Sequence, residues 1–542
     1  MEAANGIWTN TVSGGLWSNS ANWSGGIIAD GSGFTANFGS LNLVNDDIVH
    51  LDSSRTLSSL IFSSGSGTSY VWTLDNNGIS GNTLNLSGSP TISVTNTATI
   101  SANITGVGFV KNGIGTLILS GNNTFSGQVS ILNVNSCLQI SSPTNLGTST
   151  NIIINQNSGF RVTESITLGQ NIDLEGGNPT IGIATGKILT INGMIYGGGT
   201  TPVFGGDTNA GGKIILNASN YFTNGIPQLL LNNKCDLSLG NQMALNGASL
   251  KINSSAACII DNSSGSSMTP IGIKDFILTT SFAFSGSQNL DLGNVPSGFT
   301  QVIGTTRTIN ILANTLTMSG ILATGNDARG AARTDGSLVK TGSGTLIFKS
   351  NSTYTGSTSN LAGVFQIGGL LASTNVIVNA GTLFFTTNVS LNFLTINVGA
   401  FCGAPKLTAT NCFVYGTMTN LYSGSPSLIG GSGSVKGVLS FSQGAILTNI
   451  LNSPMTAETV YPSTGMSVNV YSPTVVPIGT YTIMNYQSLN TSNGSFPNMA
   501  TVSGAGIPQN TRAILVADGS SLKMIVQKNN SSFFNFISET RM

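Results

Sequence analysis

Charge is what this chain has least of. Only 7% of its 542 residues are charged, against roughly 25% in typical soluble domains. The 19 basic residues balance the 19 acidic ones. Zero net charge leaves no basic field for nucleic acid or an anionic membrane, and there is no acidic tail. No apolar run approaches the roughly 20 residues of a membrane-crossing helix. The start, MEAANGIW, lacks the basic stretch and apolar run of a visible signal peptide. The five cysteines, Cys137, Cys235, Cys258, Cys402 and Cys412, are odd in number and form no CxxC pair. No zinc site is expected of them, and they read as small buried apolar residues. Cys235 and Cys258 stand 23 residues apart. Helical periodicity is almost absent too.

What is present is glycine, 69 residues of it, with Ser, Thr and Asn supplying the polar surface. Short runs alternate apolar and small polar residues and close on Gly or Asn. Examples are TLNLSG (83–88), GTLILSG (115–121), NIIIN (151–155), KILTING (187–193), GKIILN (212–217) and LTINVGAF (394–401). Period two with β-branched residues predicts strands, and the punctuation predicts turns. The length exceeds a single sandwich or barrel, and no linker-like composition shift divides the chain. Asn, Ser and Thr at strand ends suit side-chain ladders between stacked coils. A solenoid accommodates all three observations.

One phrase occurs twice. FVKNGIGTLILSGNNTFSG (109–127) and LVKTGSGTLIFKSNSTYTG (338–356) are identical at ten of nineteen positions, and Lys111 and Lys340 lie 340 − 111 = 229 residues apart. A weaker third copy, GGKIILNASNYFTNG (211–225), keeps the order of its parts. Copies beginning at Gly115, Gly212 and Gly344 are 97 and 132 apart, so the long period is not constant. The phrase reads as one coil of a parallel β-helix. Gly113 and Gly115 make a φ-positive corner. Leu117 and Leu119 point inward, Thr116 and Ile118 outward. Phe125, or Tyr354 in the later copy, covers the corner, and Gly127 opens the next strand.

These residues resemble the autotransporter-associated β-strand repeat, also called the passenger-associated transport repeat, with its pattern L-x-K-x-G-x-G-T-L-x-L-x-G-x-N-x-Y-x-G. The second copy continues as that repeat does, through NLAGVFQIG (360–368). The first copy departs from it. Its ILNVNSCLQI (131–140) is two residues longer and carries Asn135-Ser136-Cys137 where a Gly is expected, so that corner should be irregular. GLWSNSANWSGG (15–26), TANFG (35–39) and LSSLIF (57–62) resemble a segment that often precedes such repeats, and all four tryptophans fall in the first 72 residues. Residues 479–528 resemble the antiparallel closing module of these chains. The resemblance implies a secreted or surface-displayed bacterial parallel β-helix, a passenger, adhesin or stalk. No translocator barrel or sorting anchor is seen after residue 528.

Candidate chemistry is sparse. His50 lies beside Asp46, Asp47 and Asp52, an acid/base constellation in outline, although a capping strand with polar edges accounts for it. Asp327, Arg329, Arg333 and Asp335 form the densest charge cluster, a candidate ligand loop or a solvated loop between coils. DNNG (75–78) looks like half a calcium loop, but the alternating oxygen ligands are missing, and a hairpin turn explains it better. A β-helix enzyme needs clustered carboxylates with Lys or Arg, and 19 acids spread over the chain do not supply them.

The sequence thus predicts an all-β protein, a right-handed parallel β-helix. A Trp-rich cap is expected over 1–75, coils over 76–450 and a C-terminal antiparallel β-module over 451–530. Roughly 17 coils at about 4.8 Å would give a rod on the order of 80 Å. Cys235 and Cys258 would sit one above the other in neighbouring coils. The expected function is extracellular, structural and non-enzymatic, with self-assembly into filaments through Phe533, Phe534 and Phe536 of a docking tail (531–542). The alternatives are a surface adhesin binding glycan or host surface, and, less favoured, a polysaccharide-degrading enzyme. No cofactor, metal or nucleic acid is expected as a partner.

Overall fold

A computed structural model describes residues 2–529, except 65–68, 199–200, 207–210, 223–227, 255, 294–296, 300–305, 324, 327–331, 334–335, 374, 398, 405–406, 415–416, 421–433, 442 and 453. The fold follows from one local pattern. In the strand Thr116–Leu119 the side chains alternate, so Leu117 and Leu119 are fully buried while Thr116 and Ile118 are half-buried. The strand pairs in parallel with Thr97–Ile100 on one side and Cys137–Ile140 on the other. Leu117 therefore stacks between Ala98 and Leu138, and Leu119 between Ile100 and Ile140, all buried. Each such side chain contributes about 1.5–3 kcal/mol by leaving water. The same column continues through Phe160, Ile181 and Phe204. This is the predicted parallel β-solenoid.

The chain divides into two compact units. The first comprises Met1–Leu290 with Asp327–Gly330, the second Asp291–Asn326 with Ala331–Met542. No linker-like stretch announces the division, which falls after the short strands Asp275–Leu278 and Phe282–Phe284. Unit one has three parallel sheets, opening on Gly6–Ile7, Gly15–Leu16 and Ile166–Leu168. In unit two, two parallel ladders run from Thr306–Ile311 to Gly479–Leu489 and from Thr315–Met318 to Thr501–Gly504. Antiparallel pairing enters at the C-terminal end, as expected. Ser521–Lys528 lies antiparallel to Gly479–Leu489 and to Thr511–Ala517. Among the described residues the only helical turns are three short 3-10 pieces.

Coil length varies. Leu117 to Leu138 spans 138 − 117 = 21 residues, Ile181 to Phe204 spans 204 − 181 = 23, and Phe365 to Leu383 spans 383 − 365 = 18. The copies of the repeat are unevenly spaced for a further reason: their strands Thr116–Leu119, Lys213–Leu216 and Thr345–Phe348 lie in three different sheets. The expected polar ladders exist: Asn217 donates to Asn192 at 2.9 Å, Asn253 to Asn232 at 3.1 Å and Asn397 to Asn379 at 2.7 Å, each across adjacent coils. The turn at DNNG is real, with Asn77 (φ 54°) and Gly78 (φ 72°) both left-handed. It is not a hairpin, because its flanking strands, Val71–Asp75 and Thr83–Val94, join different sheets. In a solenoid a tight turn carries the chain around the coil instead of back along it.

One strand edge is covered near each end of the described chain. At the first coil Ala4 and Asp30 exchange backbone bonds of 2.8 and 3.2 Å, and Thr9 N donates to Asn22 O at 2.9 Å. The segment 22–30 thus folds across the start of the ladder. At the other end, Ala500 N bonds Ala513 O at 3.1 Å and Leu515 N bonds Asn498 O at 2.9 Å, so 498–500 covers the edge strand Thr511–Ala517. Covered edges do not template pairing with other chains.

Beneath the first lid the interior is aromatic. Phe38 stacks on Phe62 with centroids 5.0 Å apart and rings 6° from parallel, and it lies 5.5–5.9 Å from Trp8, Trp17, Trp23 and Trp72. Trp17, Trp23 and Trp72 donate their indole N–H groups to the carbonyls of Ala29, Trp17 and Ser63. Replacing Phe38 with Ala should cost about 3–5 kcal/mol in this end of the molecule. Denaturation followed by tryptophan fluorescence, which reports this segment alone, tests that loss; an unchanged midpoint would show that the aromatic cluster is not structural.

Candidate functional site

The repeated phrase holds the most strongly constrained polar groups in the chain. Lys111 and Lys340 are fully buried. Each points inward from a strand, Val110–Asn112 and Ser337–Thr341 respectively, and curls into the corner that follows. Lys111 Nζ donates to the carbonyls of Asn112 (3.0 Å), Gly113 (2.7 Å) and Gly115 (2.6 Å) and to Ser136 Oγ (2.8 Å). Lys340 Nζ donates to the carbonyls of Gly342 (2.6 Å) and Ala362 (2.7 Å). The ammonium group satisfies carbonyls that a tight corner turns inward, away from any strand partner.

The glycines serve this arrangement. Gly113 and Gly342 share φ 77°, and a Cβ on either would lie within 2.5 Å of the carbonyl oxygen of Val94 or Ile311. Gly115 was expected to be φ-positive as well; instead its lack of a Cβ lets Asn96 O approach to 2.2 Å of where that atom would sit. The irregular corner in the first copy is resolved by substitution of roles. Gly363 of the second copy is left-handed (φ 64°), and Ser136 takes the equivalent place in register, since Cys137 follows it as Val364 follows Gly363. In the first copy the left-handed residue is Asn135 (φ 64°), one position earlier, and the Ser136 hydroxyl faces the lysine. One coil beyond Lys340, in direct register, stands Asn360, whose amide donates to the carbonyls of Ala380 (3.2 Å) and Thr382 (3.0 Å). Neither role was visible in the sequence, where the Lys reads as an exposed strand residue.

The candidate acid/base cluster does not converge. His50 Nδ1 meets Asp75 Oδ1 at 2.7 Å. Asp46 accepts from Val71 N, and Asp52 accepts from Ser18 N and its hydroxyl. Asp47 faces the interior, where no side chain pairs with its carboxylate; burial raises its pKa, and the Ile48 backbone N–H offsets part of that rise. Of the charged loop, Gly325–Asn326 and Ala332–Arg333 form an antiparallel hairpin stem, which carries the backbone of Arg333. Asp327, Arg329 and Asp335 lie outside the described residues, as do Phe533, Phe534 and Phe536. Other described charges form ion pairs, Lys187 with Glu164 at 2.6 Å and Lys349 with Asp291 at 2.7 Å among them. Cys235, Cys258 and Cys402 are buried as expected, whereas Cys137 is only half-buried.

Two shallow grooves mark the coil flanks. One in unit two, about 430 Å³, crosses three coils between Asn351, Leu370 and Asn388 on one wall and Thr353, Ala372 and Ser390 on the other. One in unit one, about 370 Å³, runs over Pro90, Phe109 and Gln128. Neither has a charged lining residue. Among the described residues no cluster of His, Cys, Asp or Glu suits a metal ion, and no helix is long and apolar enough to cross a membrane.

Residues 109–133 and 338–367, the two lysine-cornered coils, match the passenger-associated-transport-repeat family model. The chain is a parallel β-solenoid that carries two such repeats. Over 123 residues it is also 31% identical to the adhesin BmaC autotransporter of Brucella suis biovar 1 (strain 1330). That match takes in 22% of this chain and 4% of the relative, so the chain spans a small part of that protein's length. No solved structure matches.

Replacing Lys111 or Lys340 with Met would strand inward carbonyls, at a cost of about 2–4 kcal/mol at pH 7. Burial pulls both ammonium groups from 10.5 down to about 8. Between those values the folded chain holds fewer protons than the unfolded one, so each lysine's contribution to stability rises with pH there. Denaturant titrations from pH 7 to 10.5 should show that rise in the native chain and a shallower one in K111M/K340M. Identical slopes would mean that the corner lysines titrate normally.

Proposed function

We propose that this chain is a non-enzymatic, surface-displayed module of an autotransporter-passenger type, with an adhesin-like role. The solenoid serves as a spacer, and contact is made by the charged segment that contains Asp327, Arg329 and Arg333. One observation carries this reading. The coils that match the passenger repeat turn one lysine each, Lys111 and Lys340, inside the corner, and outside they carry mainly neutral Asn, Ser and Thr, with Lys349 the one other charged residue in the two matched stretches. Such coils build length without chemistry of their own. The stretch similar to an adhesin supports the same direction.

Self-assembly into filaments is the second reading, resting on Phe533, Phe534 and Phe536. The covered edges near Gly6–Ile7 and Thr511–Ala517 leave fewer free backbone groups for a docking strand, which favours adhesion over it.

The test is binding of the purified chain to glycan arrays and to cultured host cells, beside a variant with residues 327–335 replaced by a Gly/Ser linker. Binding that drops about tenfold or more, a loss of roughly 1.4 kcal/mol, assigns contact to the loop. Equal binding by both forms removes the loop from the site. No binding to any surface, with filaments in electron micrographs that vanish on removal of 531–542, would replace adhesion with assembly.

A further inference from the structure

Of the five cysteines, register brings two together. Cys137 is stacked between Thr116 and Gly159, Cys402 between Leu383 and Met418, and Cys412 between Leu394 and Leu439. None of these has a cysteine above or below it. Cys235 and Cys258 differ. The strand Asp236–Leu239 pairs with Cys258–Asn262 so that Leu237 faces Ile260 and Leu239 faces Asn262. Carried two positions back beyond the ladder, the same offset sets Cys235 against Cys258. A hydrogen bond of 2.7 Å from Ile259 N to Asp236 Oδ1 joins the residues that immediately follow the two thiols. Both cysteines are fully buried.

We propose that Cys235 and Cys258 form a disulfide that staples two adjacent coils of unit one when the chain folds in an oxidising compartment. Neighbouring strands stand about 4.8 Å apart, inside the roughly 4.4–6.8 Å range of Cα separations that a disulfide spans. Strict ladder geometry would hold the Cβ atoms slightly too far apart. Cys235, however, precedes its strand and follows a turn at Asn233 (φ 48°) and Lys234 (φ 54°), so the strict ladder does not fix its position. Burial also pushes both thiols up, Cys258 to about 12, so neither reacts readily once the coils have closed. The bond therefore forms during folding. Each thiol loses a proton, the two sulfurs give up two electrons and bond to each other, and a small-molecule disulfide is cleaved to two thiols.

The full chain, denatured and reduced, is refolded once with excess oxidised glutathione and once with a thiol reductant, and both products are mapped by mass spectrometry without reduction. The expected result is a cross-linked pair of peptides containing Cys235 and Cys258 in the oxidised sample only, with the other three cysteines open to alkylation after unfolding. In C137A/C402A/C412A the oxidised form should melt about 5 °C above the reduced form, a difference that C258A abolishes. Two free thiols at Cys235 and Cys258 in an oxidised, β-rich product would overturn the proposal. So would linkage of either to another cysteine or to glutathione. Should a variant fail to fold, the map of the native chain decides alone.

Discussion

In-register parallel pairing sets the terms for everything else in this molecule. Each side chain lies about 4.8 Å from its counterpart in the coils above and below, so a residue must tolerate its neighbours in a column many coils long. Leu, Ile, Val and Phe do so inside, and Asn, Thr and Ser do so outside by bonding to one another. Charges of one sign do not stack, since like charges directly opposite repel. The shortage of charge in the composition follows from the ladder. Some of the charge that does occur is paired across coils, as in Lys187 with Glu164, or sealed inside a corner, as in Lys111 and Lys340.

The corners carry the second constraint. A ladder satisfies the backbone of a strand but not of the turn that ends it, and a solenoid must turn in every coil. Carbonyls that face the interior at those turns need donors that water cannot provide. Lysine reaches several at once and asparagine fewer; in the second copy Lys340 in one coil is followed by Asn360 in the next, whereas Ile131 stands one coil beyond Lys111. The repeated phrase is thus a solution to turning, and its glycines and its lysine are two halves of one device.

The parallel solenoid, its inward leucines and its polar ladders were legible in the sequence because period-two patterning survives in strands such as Thr116–Leu119. The stacking of Cys235 on Cys258 was legible for the same reason, as an offset of one coil. Corners were less readable. Gly113 and Gly115 look alike in sequence, yet one needs a left-handed backbone and the other only the space a Cβ would fill. The lysine's inward turn left no trace, since a long polar side chain among strands reads as solvated. Asp47 alternates correctly into the interior, but nothing in its neighbourhood of sequence says that it would lack a side-chain partner there. The hairpin carrying Arg333 breaks the parallel pattern, and its composition alone did not reveal antiparallel pairing.

The drift in coil length, from 18 to 23 residues in the coils measured, has a consequence for how such a chain changes over time. Residues gained or lost at a corner leave the strands on either side in register, because the ladder is fixed by its own column of side chains and not by the contour of the connection. Growth is therefore cheap at the periphery, while within a strand it shifts the register, as between Gly127 and Gln128. A molecule built this way can acquire a new outer contour one turn at a time, while its interior keeps the same axis and the same stacking partners.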